Sequence, residues 1–258
     1  MLFRSPLERA LADLWNRTAS PMTPADRRTF RTAIEDMADS WLWELTNQKQ
    51  NRIPDPVDYV EMRRKTFGSD LTMSLSRLSH GLSVPQEVYR SRPIRSMENA
   101  AADYACLLND VFSYQKEIQF EGEIHNAVLV VQNFLDCEAS EAVVVVNNLM
   151  TARLEQFLHI VDLELPALYD DFDLSDEARR ALDGYAAELK DWMSGILNWH
   201  RGCFRYDEAT LLRHNGLPTP DTWTPSLLSG PSGLGTSAAR LVDALRGGPC
   251  VTAVTGGS

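Results

Sequence analysis

The chain is poor in cysteine, with four in 258 residues: Cys106, Cys137, Cys203 and Cys250. No two form a CxxC pair, and no cysteine–histidine spacing matches a zinc site. A reducing, cytoplasmic setting fits this pattern, with Cys106, set in an apolar run, expected as a core thiol. Long hydrophobic runs are also missing. None approaches the ~18 residues that a membrane span needs, and the opening Met1-Leu2-Phe3-Arg4 lacks the apolar core of a signal peptide. Basic charge is scarce: 25 Lys and Arg stand against 36 Asp and Glu, for a net charge of −11 and a pI of about 4.9. That argues against a nucleic-acid surface, which carries a basic face, and against binding to anionic membrane. An anionic substrate would have to be met by metal cations or by a local basic cluster. Finally, no stretch shows sustained period-2 alternation with hairpin turns, which points away from sheet.

What is present is helical. Ser5-Pro6-Leu7-Glu8 combines a capping serine, a proline at the first helical position and a glutamate three residues after the cap. It predicts a helix to about Thr18, with Leu7, Ala10, Leu11, Leu14 and Trp15 at helical spacing. A similar signal at Thr23-Pro24-Ala25-Asp26 opens a second helix, with Phe30, Ile34, Met37, Ala38, Trp41 and Leu42 on one face, ending near Gln48. Residues 51–56 form a connector, and a third helix follows that Gly68 interrupts. Further helices are predicted over residues 71–82, 96–118, 126–136, 138–164 and 175–213, with Gly122 breaking the chain between two of them. Trp15, Trp41, Trp43, Trp192 and Trp199 fall within these patterns as core candidates. Beyond Leu212 the composition turns to Pro, Gly, Ser and Thr, including Pro218, Pro220, Pro225 and Pro231. The expected organisation is therefore one all-α domain over residues 1–213 and a tail or linker over 214–258.

One constellation carries chemistry. Asn109, Ser113 and Glu117 stand at i, i+4 and i+8, which share one face of a helix. They offer an amide oxygen, a hydroxyl and a carboxylate, the oxygen donors that a hard cation such as Mg2+ takes. One carboxylate with two neutral groups makes a weak site until a diphosphate completes the coordination. Lys116, seven residues after Asn109, could reach that diphosphate. A bare NxxxSxxxE is more often a plain polar helix face. Here the run Ala101–Leu108 is largely apolar, so this face is expected inside the domain, where Asn, Ser and Glu need partners.

The segment Asn109-Asp110-Val111-Phe112-Ser113-Tyr114-Gln115-Lys116-Glu117 resembles the second metal-binding motif of class I terpene synthases in its bacterial form. Arg205-Tyr206, after Trp199-His200-Arg201-Gly202-Cys203-Phe204, resembles that family's terminal Arg-Tyr pair. Tyr59-Val60-Glu61-Met62-Arg63-Arg64-Lys65-Thr66-Phe67-Gly68 resembles the segment bearing its diphosphate-sensing arginine, with Arg63 and Arg64 both open for that role and Gly68 as the coupled helix break. Three matches in family order are strong where each alone is weak. The segments Glu121–Gln132 and Gly233–Arg240 look most like the germacradienol/geosmin synthases, two-domain bacterial sesquiterpene cyclases.

The resemblance implies the all-α class I terpenoid synthase helical bundle. It implies three Mg2+ ions holding the diphosphate of a linear isoprenoid, most simply farnesyl diphosphate, which is ionised and cyclised with release of diphosphate. Asn109, Ser113 and Glu117 would be metal ligands. Lys116, Arg205 and Arg63 or Arg64 would bind the diphosphate, and Tyr206 would support Arg205. Phe112 and Trp199 are candidates to line the cavity, while His125 and His200 read as structural. A homodimer or a second synthase domain is left open as partner. The family's first, aspartate-rich motif is not found before Arg63. The acidic cluster Asp170-Asp171-Phe172-Asp173 reads as helix capping ahead of Ser175. The chain is thus expected to start just past that motif, without the fold's first helices. The alternative function is a catalytically inactive helical fragment serving as scaffold or partner module. A chain-elongating prenyl synthase, which uses two aspartate-rich motifs, fits less well.

Overall fold

In the computed structural model, residues 5–80 and 83–215 are described, and all regular structure among them is helical. The elements in order are α1 (Pro6–Ala19), α2 (Pro24–Gln50), α3 (Pro56–Thr66), α4 (Ser69–Ser79), α5 (Gln86–Tyr89), α6 (Arg92–Gln115), α7 (Ala127–Leu135), α8 (Ala139–His159), α9 (Leu165–Asp171), α10 (Asp176–Gly202) and α11 (Glu208–Asn215). Two π-helical turns interrupt the series, Lys116–Glu121 after α6 and Ile160–Glu164 after α8. No helix among the described residues is long and apolar enough to cross a membrane. The expected tail and the Gly233–Arg240 segment lie outside the described residues, apart from the start of the tail at the end of α11.

Local chemistry explains most boundaries. The predicted capping box forms at α1: Ser5 Oγ accepts from Glu8 N at 3.1 Å and Glu8 Oε2 accepts from Ser5 N at 2.7 Å. Gly68 separates α3 from α4 in the left-handed region, at φ 77°, where a residue with a Cβ is strained. Gly122, at φ 66°, ends the first π-helical turn. Asn126 caps α7, its side chain accepting from Val128 N.

The chain resolves into two compact units, each assembled from separate stretches of sequence. The first comprises Met1–Leu42, Arg64–Ala102 and Leu154–Gly195. One of its apolar clusters gathers Ala19, Met22 and Phe30, with Trp15, Ile34, Leu71 and Leu78 against them. A polar cluster is also buried there: Tyr185 donates to Glu98 Oε1 at 2.6 Å, Arg77 pairs with the same carboxylate, and the Arg77 guanidinium lies 5.0 Å from the Tyr89 ring centre. The second unit comprises Trp43–Arg63, Asp103–Arg153 and the chain from Ile196 onward. Its core is built around α7, where Ala127, Val128, Leu129, Val130, Val131 and Phe134 are all buried. A helix apolar on every face belongs inside, whatever its length.

Several expectations change. The stripe Leu7, Leu11 and Leu14 on α1 is exposed. So are Trp41 and Trp199, which the periodicity placed in the core. The predicted 175–213 helix is broken at Cys203 by a 3-10 turn, Phe204–Tyr206. The acidic cluster does not begin a helix. Asp170 and Asp171 close α9, the end that the helix dipole makes unfavourable for anions, and Arg179 compensates by donating to Asp170 at 3.1 Å. Ser175 does cap α10, accepting from Ala178 N at 3.2 Å.

Candidate active site

The metal-motif segment runs through the end of α6 and into the π-helical turn. Asn109 and Ser113 sit on regular α-helix, whereas Glu117 is the second residue of the wider turn. The strict i, i+4, i+8 register expected from the sequence therefore does not hold to its end. Single π turns of this kind concentrate at functional sites.

Both polar atoms of the Asn109 amide have partners, and its oxygen keeps a second lone pair. Its Oδ1 accepts from Arg63 Nη2 at 2.9 Å. Its Nδ2 faces His200 Nε2 at 3.0 Å and donates to Tyr206 OH at 3.1 Å. Chemistry fixes the orientation of the amide. A guanidinium only donates, so the atom facing Arg63 is the oxygen. His200 Nδ1 lies 2.8 Å from the Ile196 carbonyl, so it carries the proton, and Nε2 is the acceptor. Burial lowers the His200 pKa, which supports the neutral ring. The His200 and Tyr206 rings stack at 5.3 Å between centres, and Phe112 lies 5.3 Å from His200. These contacts bring the Arg-Tyr segment to the metal motif, 97 residues away in sequence.

Asp110 is the hub that sequence reasoning left without a role. Its carboxylate is completely buried and accepts from Arg63 Nη2 at 2.7 Å and Nε at 3.1 Å, from Ala127 N at 2.9 Å and from Tyr59 OH. Burial and the Asp110 charge push the Tyr59 hydroxyl pKa well up. Arg63 stays charged: burial opposes its charge, but Asp110, with Tyr59 and Cys106 adding to it, more than compensates. The available signal was an aspartate beside an apolar run, three residues before Ser113 and seven before Glu117, and so on the same side of the helix as those two oxygens.

Glu117 accepts from Asn126 Nδ2 at 2.9 Å. Burial first, then the Asp110 charge, raises its carboxyl pKa, against the pull of Asn126 and Arg63. Ser113 is wholly buried, and its hydroxyl makes no hydrogen bond of normal geometry, although it lies near enough to Glu117 to draw that pKa down slightly.

The other expected residues are less tightly held to this network. Lys116 pairs with Glu121 Oε2 at 2.5 Å. Arg205 is exposed, its guanidinium 5.9 Å from the Tyr206 ring centre. Arg64 falls in the first unit, whereas Arg63 and the rest of the network fall in the second. Among the described residues, no three His, Cys, Asp or Glu side chains gather as a metal cluster.

The donor set nonetheless fits a hard cation. It supplies an amide oxygen, a hydroxyl and a carboxylate, all oxygen. A buried hydroxyl without a hydrogen bond of normal geometry is one that an ion could satisfy.

Comparison with known proteins identifies the family and the fold. The model of "Terpene synthase family 2, C-terminal metal binding" matches residues 3–156. Pristinol synthase of Streptomyces pristinaespiralis is 27% identical over 212 residues, 82% of this chain and 56% of that protein. Pentalenene synthase of Streptomyces exfoliatus is 31% identical over 210 residues, 78% of this chain and 60% of the relative. Among solved structures, germacradien-4-ol synthase from Streptomyces citricolor is similar with a TM-score of 0.69 and 28% identity, covering 79% of this chain and 64% of that one. Linalool/nerolidol synthase from Streptomyces clavuligerus, solved with 2-fluorogeranyl diphosphate, shares the fold at a TM-score of 0.71 and 24% identity, over 78% and 68% of the two chains. The chain thus spans under two thirds of the length of these two curated relatives. The matched family model covers well over half of the chain, through the motif helix and beyond, so the chain belongs to terpene synthase family 2, within the class I terpene synthases.

Proposed function

We propose that this chain is the metal-motif part of a Mg2+-dependent terpene cyclase that ionises and cyclises a linear isoprenyl diphosphate, most simply farnesyl diphosphate, with release of diphosphate. The observation that carries the reading is the buried Ser113 hydroxyl, without a hydrogen bond of normal geometry, in register with Asn109 and near Glu117. Asn109, Ser113 and Glu117 would hold Mg2+, which when bound offsets the negative charge that develops on the departing diphosphate.

The chain's own residues do the rest. Arg63, His200 and Tyr206 keep the Asn109 amide at one orientation, so its oxygen is presented without a search over rotamers. Asp110 keeps Arg63 in place. Lys116 and the exposed Arg205 would take phosphate oxygens, a role for which a guanidinium fork is well shaped. Lys116 would exchange Glu121 for that ligand. Phe112, whose ring lies 5.3 Å from that of His200, would border the apolar side of the site. Three Mg2+ ions, a diphosphate contact from Arg63 or Arg64 and the narrower likeness to germacradienol/geosmin synthases belong to this proposal as well. So does a homodimer or second synthase domain as partner.

The rival reading is a helical module without turnover, supported by the single carboxylate in the donor set. Incubation with farnesyl diphosphate and Mg2+, followed by diphosphate release and volatile-product analysis, separates the two. Turnover that Glu117→Ala abolishes supports the cyclase. Turnover unaffected by that change overturns the metal assignment.

A further inference from the structure

Asn126 is fully buried and uses every hydrogen-bonding atom of its amide. Oδ1 accepts from Val128 N at 2.9 Å and so caps α7. Nδ2 donates to the Asp110 carbonyl at 2.8 Å and to Glu117 Oε2 at 2.9 Å. The cap fixes which atom is oxygen, because the Val128 N–H can only donate. The two remaining hydrogens therefore point at two acceptors. One belongs to the backbone of the metal-motif helix and the other is the only carboxylate among the three proposed metal ligands.

The loop that delivers Asn126 is itself tied down. Glu123 Oε1 accepts from Ile124 N at 2.7 Å, from His125 N at 3.0 Å and from His125 Nδ1 at 2.6 Å. Upstream, Gly122 turns the chain through the left-handed region, and Gln48 Nε2 donates to its carbonyl at 2.9 Å. The loop thus has little freedom to carry the amide elsewhere.

From this we infer that Asn126 is a positioning residue: its amide aims the Glu117 carboxylate and locks the register between the π-helical turn and the start of α7. The inference rests on the reading of Glu117 as a metal ligand. Glu117 lies in a turn wider than an α-helix, where its direction is less tightly dictated by the backbone ladder, so an external donor has to define it. Groups that orient metal-binding carboxylates typically govern metal affinity by roughly tenfold to a hundredfold.

Asn126→Asp tests this in the full chain, since it keeps the shape and the cap but replaces the donor to Glu117 with an acceptor. Mn2+ binding in the presence of inorganic diphosphate, followed by electron paramagnetic resonance, should weaken by roughly tenfold to a hundredfold, with helical content by circular dichroism unchanged. The double variant N126D/E117Q restores a donor between the two side chains. Its unfolding midpoint should therefore recover much of what N126D loses, whereas its Mn2+ affinity should stay low. Additive stability effects of the two substitutions would show that the residues are not coupled, and would overturn the proposal. So would full Mn2+ affinity in folded N126D. Should E117Q alone leave Mn2+ affinity intact, the metal reading fails. The positioning of Glu117 by Asn126 is then judged by the stability cycle alone.

Discussion

Arg63 donates to Asp110 from both Nε and Nη2, at 3.1 and 2.7 Å, and the same Nη2 reaches the Asn109 amide oxygen at 2.9 Å. Arg63 thereby links the charge that stabilises the helix from inside to the oxygen expected at the metal. The Asp110 side chain is fully buried and that of Arg63 is 13% exposed, so water does little to screen the pair.

Asp110→Ala should therefore be severe. Removing one member of a buried ion pair leaves the other charge desolvated and costs about 3–5 kcal/mol. Denaturant unfolding of the variant against the native chain measures it. A loss below about 1 kcal/mol would mean that the network around Asp110 matters little, as exposed pairs do.

Ser113→Ala should behave in the opposite way. Its hydroxyl is buried without a proper partner, so deleting it should leave stability unchanged or raise it by about 1 kcal/mol. The same variant should bind Mn2+ and diphosphate more weakly. Unaltered metal binding would remove Ser113 from the donor set.

Acid sensitivity should be traceable to Glu123. Burial alone would raise its pKa, but hydrogen bonds from His125 and Ile124 hold it at about 2, against the usual 4.5. A depressed carboxylate contributes stability that is complete above pH 4.5 and is lost as pH falls toward 2. Because the side chain is 39% exposed, solvent screens much of the effect. Glu123→Gln should lower stability at neutral pH and flatten its decline over that acid window. An identical pH profile for both proteins would contradict the assignment.

The two left-handed glycines should differ. A Cβ on Gly68 would sit 3.1 Å from Met37 Sδ at φ 77°, whereas one on Gly122, at φ 66°, would meet nothing within 4 Å. Backbone strain of about 1–2 kcal/mol applies to both alanine variants. Gly68→Ala should lose more, because the methionine must shift. Thermal melts of the two variants, compared side by side, check the order.

Much of the fold was legible because capping and helix-breaking residues act locally. Ser5, Pro6 and Glu8 form their box with neighbours three residues apart, and Gly68 and Gly122 stop helices through their own backbone. The exposure of Leu7, Leu11 and Leu14 was not legible. Periodicity reports that a helix has an apolar face, and says nothing of whether another element covers it. Trp41 and Trp199 were misplaced for the same reason.

The site divides along the same line. The sequence alone put Asn109, Ser113 and Glu117, the proposed donors, on one helical segment and pointed to the family, since spacing along one helix is a local property. Only the tertiary structure decided what holds them. Arg63, His200 and Tyr206 meet at Asn109, Asn126 reaches Glu117, and Asp110 ties α3, α6 and α7 together, none of which sequence spacing encodes. The physical reason is burial. Once Asp110 and Glu117 leave water, each must find donors wherever the packed chain brings them, and these come from as far as 51 residues away in sequence.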